Sequence, residues 1–157
     1  MAAFGVHGSL AGMSGLDVLQ ALASGKAPPP PFVTTLDVRL VEASEGLAAF
    51  EGTPGQRLLN PMGVVHGAYA MALVDSAAGC AAHSVLPPGV AYASLETKVN
   101  FTRAITPATG KVRCEGRVIT KSRRIITAEA VVKDAAGNVL AHGTSTIIAL
   151  EPAVAAA

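Results

Sequence analysis

The chain has 157 residues, and its 12 Lys and Arg against 11 Asp and Glu give a formal net charge of +1. This length predicts one domain with a single core. Half of the residues are hydrophobic and 15% are charged, which favours an oligomer that hides more surface than a small monomer can. The balanced charge, without a basic run among stacking aromatics, argues against a nucleic acid partner.

The cysteines and the N-terminal residues indicate the cellular compartment in which the protein is expected. Cys80 and Cys114 lack the spacing of a metal site and are expected to be reduced thiols, which makes the cytoplasm the default location. The first lysine is Lys26, so the basic start of a secretory signal is absent and none is expected. His83 and His142 have no evident partners, and no metal site is predicted.

Residues 1–31 are predicted to form an N-terminal segment outside the main domain. Residues 1–13 are small and glycine-rich and are expected to be loosely ordered. Ser14 begins a capping box ahead of a short apolar stripe, and Gly25 is placed to end the resulting helix. The prolines of 28–31 are predicted to be an extended spacer that leads into the first strand.

The main domain is predicted to span residues 32–150. Segments 33–42 and 46–51 show partial hydrophobic alternation and predict a hairpin. After a long apolar stretch that Pro87 ends, the period changes to two, and four residues are predicted to share the face that packs on the helix: Ala93, Leu95, Val99 and Phe101.

Three further segments, 111–118, 124–133 and 139–150, repeat the alternation with turns between them. The sequence therefore predicts an α+β fold in which an antiparallel sheet packs on one long helix. The alanine-rich end, residues 151–157, is expected to be a disordered tail.

The long apolar stretch, residues 60–86, is the centre of the predicted fold. From Val64 onward it is apolar or small at almost every position, which predicts a buried helix without a wet face. Asp75 lies at its middle, and alanine and glycine dominate it, so a membrane span is not expected.

The start of this helix lacks the usual side-chain caps. None of the residues 63–67 is Ser, Thr, Asp or Asn, so the first-turn N–H groups are expected to be free. The positive end of the helix dipole favours negative charge on a carbonyl oxygen, and Gly67 has no side chain to block its approach. The pattern predicts an oxyanion hole at Gly67.

Asp75 is the only carboxylate in the helix and is predicted to be buried, which costs several kcal/mol unless the group is paired or functional. His66 lies nine positions earlier, on the opposite face and roughly 13 Å away along the axis. One helix cannot present both residues to one substrate. If both serve one site, the simplest arrangement is a symmetric dimer in which each chain gives its carboxylate to the other.

These residues carry a resemblance to a known family. The motif consists, in chain order, of Asn60, Pro61, Gly63, His66, Gly67, Asp75 and Ser76. It is similar to the signature of hotdog-fold acyl-CoA thioesterases of the phenylacetic acid degradation (PaaI) type. The similarity covers about residues 16–150. The family usually has a second glycine after Gly67, where this chain has Ala68, which keeps the backbone donor but narrows the space beside it.

The resemblance implies a hotdog fold with active sites at a dimer interface, and a homotetramer built as a dimer of dimers. It also implies an acyl-CoA thioesterase with Asp75 as general base or nucleophile and Gly67 N–H as oxyanion donor. Asn60 would help to place the water, and His66 would support the loop. Coenzyme A is then part of the substrate, and no separate cofactor is expected.

Each of these candidate site residues could instead have an ordinary structural role. Asp75 could be a structural carboxylate, Asn60 a turn residue and His66 a core histidine. Ser76 could orient the substrate or the carboxylate, because a serine inside a helix without a nucleophile elbow is not expected to be a nucleophile.

The basic cluster of Lys121, Arg123 and Arg124 is either a solvated turn or a clamp for the phosphates of coenzyme A, with Arg103 a weaker candidate. Two other activities remain open for the whole protein: a hotdog dehydratase acting on a 3-hydroxyacyl thioester, and a noncatalytic acyl-CoA binder.

Overall fold

The computed structural model describes residue 10 and residues 12–150. The expectations for residues 1–9 and 11 and for the tail 151–157 lie outside the described residues. The helices are α1 (Gly15–Ala23), α2 (Pro31–Leu36) and α3 (Gly67–His83). The strands are β1 (Val38–Ser44), β2 (Leu47–Gly52), β3 (Ala91–Phe101), β4 (Val112–Lys121), β5 (Ile125–Asp134) and β6 (Val139–Leu150).

The six strands form one antiparallel sheet in the order β1-β2-β4-β5-β6-β3. The sheet curves around α3, which contacts β2, β3, β4, β5 and β6. The predicted α+β fold is confirmed. In the described part of the chain β1 and β3 are the edges of the sheet, and none of the helices there is long and apolar enough to cross a membrane.

Alanine and glycine let the sheet approach α3 closely. The inner face of the helix is fully buried at Val74, Ala77 and Ala78. A side chain at Gly116 of β4 would collide with the backbone of Ala77, so the helix lies directly against the strand. This close packing fixes the position of α3 in the sheet and therefore fixes where its polar residues emerge.

The N-terminal segment packs mainly on β1, and Gly15 of α1 lies against His83 at the end of α3. Ser14 caps α1 by accepting a hydrogen bond from the Asp17 N–H, and Gly25 follows the helix with a φ of 74°, both as predicted. The predicted strand beginning at residue 33 is wrong at its start, because Pro31 opens the short helix α2 instead. Proline favours the first helical position, and Asp37 ends the helix with a left-handed backbone.

Strand β3 contains a bulge that changes its predicted facing. Its register with β6 shifts between Ser94 and Glu96, so Leu95 is an extra residue. Val99 packs on the core and Phe101 on Gly67 as predicted. Before the bulge the inward-facing and outward-facing positions are exchanged relative to the prediction. The expectation that Ala93 and Leu95 face the helix is therefore wrong.

One stripe of α3 is exposed in the single chain, which corrects the prediction of a helix buried all round. Ala68, Met71 and Asp75 are exposed, and they lie three and four residues apart on one helical face. The sheet contacts the other faces of the helix and leaves this stripe uncovered. Asp75 is therefore not buried within the single chain.

Candidate active site

Asn60 organises the loop that leads into α3. Its Oδ1 accepts hydrogen bonds from the N–H groups of Met62 (2.9 Å) and Val64 (3.3 Å), and its own N–H donates to the Val64 carbonyl. This is the turn role that the sequence left open for Asn60. The side-chain oxygen is occupied, so only the amide Nδ2 is left to contact a water or substrate.

The N-terminus of α3 is less open than the sequence predicts. His66 is the cap residue, and its Nδ1 accepts a hydrogen bond from the Ala68 N–H at 3.0 Å, while its carbonyl accepts from the Tyr69 N–H. The expectation that the first turn has no side-chain cap is therefore wrong, because a histidine ring nitrogen performs this function. His66 holds the first turn of α3 in this way, and its supporting role in an active site stays a prediction.

Gly67 N–H has no acceptor in the part of the chain that the structure describes, so one first-turn donor stays free. Gly67 lies on a cleft of about 280 Å³ with Asn60, His66 and Arg103. The Phe101 ring lies against it, and a Cβ added at Gly67 would be 3.2 Å from that ring. A carbonyl oxygen entering this cleft would meet the N–H group at the positive end of a helix of 17 residues.

Asp75 is held by two hydroxyl groups from the bulged strand. Ser94 Oγ and Thr97 Oγ1 each donate to Asp75 Oδ1 at 2.8 Å. Thr97 Oγ1 also lies 3.0 Å from the hydroxyl of Ser145 on β6. No sequence pattern pointed to Ser94 or Thr97, and Ser76 is not one of the hydroxyl groups that donate to the carboxylate.

A cavity of about 530 Å³ opens beside Asp75, between α3 and the N-terminal segment. Ser76 and Cys80 of α3 and Tyr92 of β3 line it, and most of its other walls are apolar residues of α1, α2 and the proline segment. Burial raises the pKa of the Cys80 thiol to about 12, so this group stays protonated and does not compete with Asp75 as a nucleophile.

Gly67 and Asp75 lie on different openings of the single chain. The lining of the cleft at Gly67 shares no residue with that of the larger cavity at Asp75. The two residues are separated by a little over two helical turns, or roughly 12 Å along the axis. One α3 therefore does not bring the two groups to the same substrate atom.

The predicted basic cluster lies beyond the opposite end of α3. Lys121 Nζ donates to the Val85 carbonyl just after the helix, so this lysine is partly engaged. Arg123 and Arg124 are exposed in the turn between β4 and β5. The structure therefore brings none of the three to Gly67 of the same chain, and it places Arg103 there instead.

The arrangement provides the two parts that an acyl-transfer reaction needs. A free N–H at a helix start can stabilise an oxyanion, and an exposed carboxylate fixed through one oxygen can accept a proton or attack a carbonyl carbon. In the described residues no group of three or more His, Cys, Asp or Glu could hold a metal ion.

Comparison with solved structures identifies the class of the fold. The chain is similar to a conserved protein of Pseudomonas aeruginosa at 29% identity and a TM-score of 0.73, covering 78% of this chain and 95% of that one. It is similar to a phenylacetic acid degradation-related protein of Ralstonia eutropha JMP134 at 21% identity and a TM-score of 0.75, covering 83% and 98%. The PaaI protein of E. coli aligns at 16% identity with a TM-score of 0.76, covering 88% and 98%.

The sheet wrapped around one long helix is the hotdog fold, as the resemblance in the sequence implied. Residues 62–141, which include Gly67, Asp75, Ser94 and Thr97, match the model of the thioesterase superfamily. The chain belongs to the thioesterase superfamily. A comparison with curated proteins finds no match.

Proposed function

We propose that the protein is an acyl-CoA thioesterase that hydrolyses a thioester to a free carboxylic acid and coenzyme A. The observation that carries the proposal is the free Gly67 N–H at the start of α3, within a chain whose family cleaves or binds acyl thioesters. This donor matches the charge that develops on the carbonyl oxygen when a thioester is attacked.

Asp75 supplies the second part of the reaction. As a general base it takes a proton from water while the water oxygen attacks the carbonyl carbon, and the C–S bond then breaks to release the coenzyme A thiolate, which is protonated. As a nucleophile it attacks the carbonyl carbon, the C–S bond breaks and the coenzyme A thiolate leaves, which gives a mixed anhydride. Water then hydrolyses this anhydride in a second step, which releases the free acid and restores the Asp75 carboxylate. Asn60 would contribute its free amide Nδ2 to placing the water in either route.

A symmetric dimer would bring Gly67 of one protomer to Asp75 of the other. Among the described residues, strand β3 is hydrogen-bonded only to β6, so its other edge is open to pairing with a second β3. Leu95 and Phe101 on this strand are 58% and 55% exposed, and Met71 on the open stripe of α3 is 44% exposed. These exposed apolar side chains lie around the two halves of the site, so burying them in a dimer interface at this place would be favourable.

The outer face of β1, β2 and β4 is less suited to this first contact, because it carries a network of charges in which Arg113 pairs with Glu42 and Glu51. Separating or desolvating such a network costs free energy. A further association of two dimers into a homotetramer, as the family resemblance implies, is part of the proposal.

The large cavity beside Asp75 would accept the acyl group. Its volume of about 530 Å³ and its apolar walls suit an aromatic or medium-chain group better than an acetyl group, which would leave most of the space unfilled. An aryl-acetyl thioester of phenylacetate degradation fits this description. The free thiols of Cys80 and Cys114 are compatible with a cytoplasmic location.

Arg123 and Arg124 are proposed to bind coenzyme A phosphates, since exposed guanidinium groups bind phosphate oxygens through two parallel hydrogen bonds. Replacing both with Gln should raise KM about tenfold, a loss of about 1.4 kcal/mol, while kcat stays nearly constant. Steady-state kinetics should show no such change in a control that removes two charges from the outer sheet face, Arg117→Gln with Lys133→Gln. A fall in kcat at unchanged KM would remove both arginines from this role.

The experiment that tests the function is a thiol-release screen with the purified protein. Benzoyl, phenylacetyl, acetyl, octanoyl and palmitoyl coenzyme A would be compared at equal concentration. The proposal expects release of thiol, with phenylacetyl or octanoyl coenzyme A turned over fastest. Tight binding without thiol release would identify a noncatalytic binder, and loss of water from a 3-hydroxyacyl thioester without thiol release would identify a dehydratase.

A further inference from the structure

The bulge in β3 gives Asp75 a second hydroxyl donor that a regular strand could not provide. Residues 94 and 97 are an odd number of positions apart, so in a regular strand their side chains would point to opposite faces of the sheet. The extra residue at Leu95 puts Ser94 and Thr97 on the helix side together. Both hydroxyls then reach the same carboxylate oxygen at 2.8 Å.

The two contacts leave the carboxylate with one free oxygen. A carboxylate oxygen has about two lone-pair positions for hydrogen bonds, and Oδ1 of Asp75 uses both. In the part of the chain that the structure describes, Oδ2 accepts no hydrogen bond, and the side chain is exposed. The reactive oxygen is therefore Oδ2, and its direction depends on how firmly Oδ1 is held.

Thr97 is held more firmly than Ser94, because a buried hydroxyl lies behind it. Ser145 has no exposed surface, and its Oγ lies 3.0 Å from Thr97 Oγ1 and 2.9 Å from the carbonyl of Glu96. A hydroxyl has one proton to donate. The Thr97 proton goes to Asp75, and the Ser145 proton goes to the Glu96 carbonyl and is shared with Thr97 Oγ1, so Thr97 lies between the carboxylate and a buried hydroxyl that the backbone of Glu96 fixes in place.

We infer that Thr97, supported by Ser145, is a positioning residue that fixes Asp75 so that Oδ2 faces the water or the thioester carbon. The inference rests on the proposed role of Asp75. Thr97 does not touch the substrate itself; it acts through the carboxylate. Loss of its hydroxyl should therefore lower the rate of the chemical step and leave substrate binding unchanged.

The test is steady-state kinetics on the acyl-CoA that the screen finds to be turned over fastest. Thr97→Val removes the hydroxyl at constant shape and should lower kcat about tenfold, as expected for one hydrogen bond to a charged group, with KM within about twofold. Thr97→Ser restores the hydroxyl and should recover kcat to within about threefold. Ser145→Ala should cause a smaller loss than Thr97→Val, since the direct bond to Asp75 remains.

Thr146→Val is the matched control. Thr146 is next to Ser145 on β6, but its hydroxyl contacts Glu96 on the other face of the sheet, so kcat should stay at the wild-type value. Melting temperatures of all variants identify any loss of folding, and Thr97→Ala is the second variant if Thr97→Val unfolds. In an Asp75→Asn background, Thr97→Val should cause no further loss.

The outcomes separate this inference from the proposed function. If Asp75→Asn is inactive but Thr97→Val keeps the wild-type kcat, or if Thr97→Ser fails to restore the rate, Thr97 has no positioning role and only the inference is overturned. If Asp75→Asn itself keeps full activity, the proposed function of Asp75 is wrong and the inference is overturned with it.

Discussion

Asp75→Asn is expected to lower kcat on acyl-CoA by about 10² to 10⁴, the usual cost of losing a positioned general base, and by at least as much if Asp75 is the nucleophile. Asparagine has nearly the same shape, and its side-chain oxygen can still accept from Ser94 and Thr97. The protein should therefore keep its fold and its oligomeric state. Thiol release, thermal melting and light scattering on one preparation measure all three properties.

Asp37→Asn is the matched control for this prediction. Asp37 is exposed, lies outside α3 and has a left-handed backbone that asparagine tolerates well, so activity should be unchanged. Normal turnover by Asp75→Asn would show that the carboxylate has a structural role only. Such a result would leave the free Gly67 N–H without a catalytic partner.

Gly67→Pro is expected to lower kcat by about 10² to 10³, the effect of removing one oxyanion-hole donor. Proline has no N–H, and Gly67 is the first residue of α3, the helical position that proline prefers. The preceding residue, His66, has φ −58° and ψ 135°, which is the extended backbone that a following proline requires. Thiol-release kinetics and circular dichroism should show lost turnover with the helix content retained.

Gly67→Ala is the control, because it adds the same Cβ 3.2 Å from the Phe101 ring and keeps the N–H. Its loss of kcat should be clearly smaller than that of Gly67→Pro. Equal losses in the two variants would attribute the effect to crowding against Phe101 and would argue against an oxyanion donor at this position.

Patterns over many residues predicted most of the fold. Period-two alternation predicts β4, β5 and β6 with nearly their observed bounds, and the unbroken run of small apolar residues predicts α3. Ser14 and Gly25 predict both ends of α1, because cap residues act through their own local hydrogen bonds and backbone angles. These elements depend on the properties of neighbouring residues in the chain, which can be read directly from the sequence.

The predictions from the sequence were wrong where a single residue changes the local backbone or hydrogen bonding, and where burial would depend on a second protein chain. The bulge at Leu95 has no turn residue to mark it, so the pairing of Ser94 and Thr97 on Asp75 was not predicted. The cap formed by His66 uses a ring nitrogen, which the usual list of capping residues omits. Apolar composition predicted burial around Asp75, but a single chain leaves that stripe of α3 exposed.

Subunit mixing between Asp75→Asn and Gly67→Pro tests most directly whether two protomers share each active site. If each site takes Gly67 from one protomer and Asp75 from the other, a mixed dimer has one intact site and one site with both defects. With random exchange half of the dimers are mixed, so the mixture should recover about a quarter of the wild-type activity. If mass spectrometry shows mixed dimers but the activity is no higher than that of the two parents, the active sites are not shared between protomers.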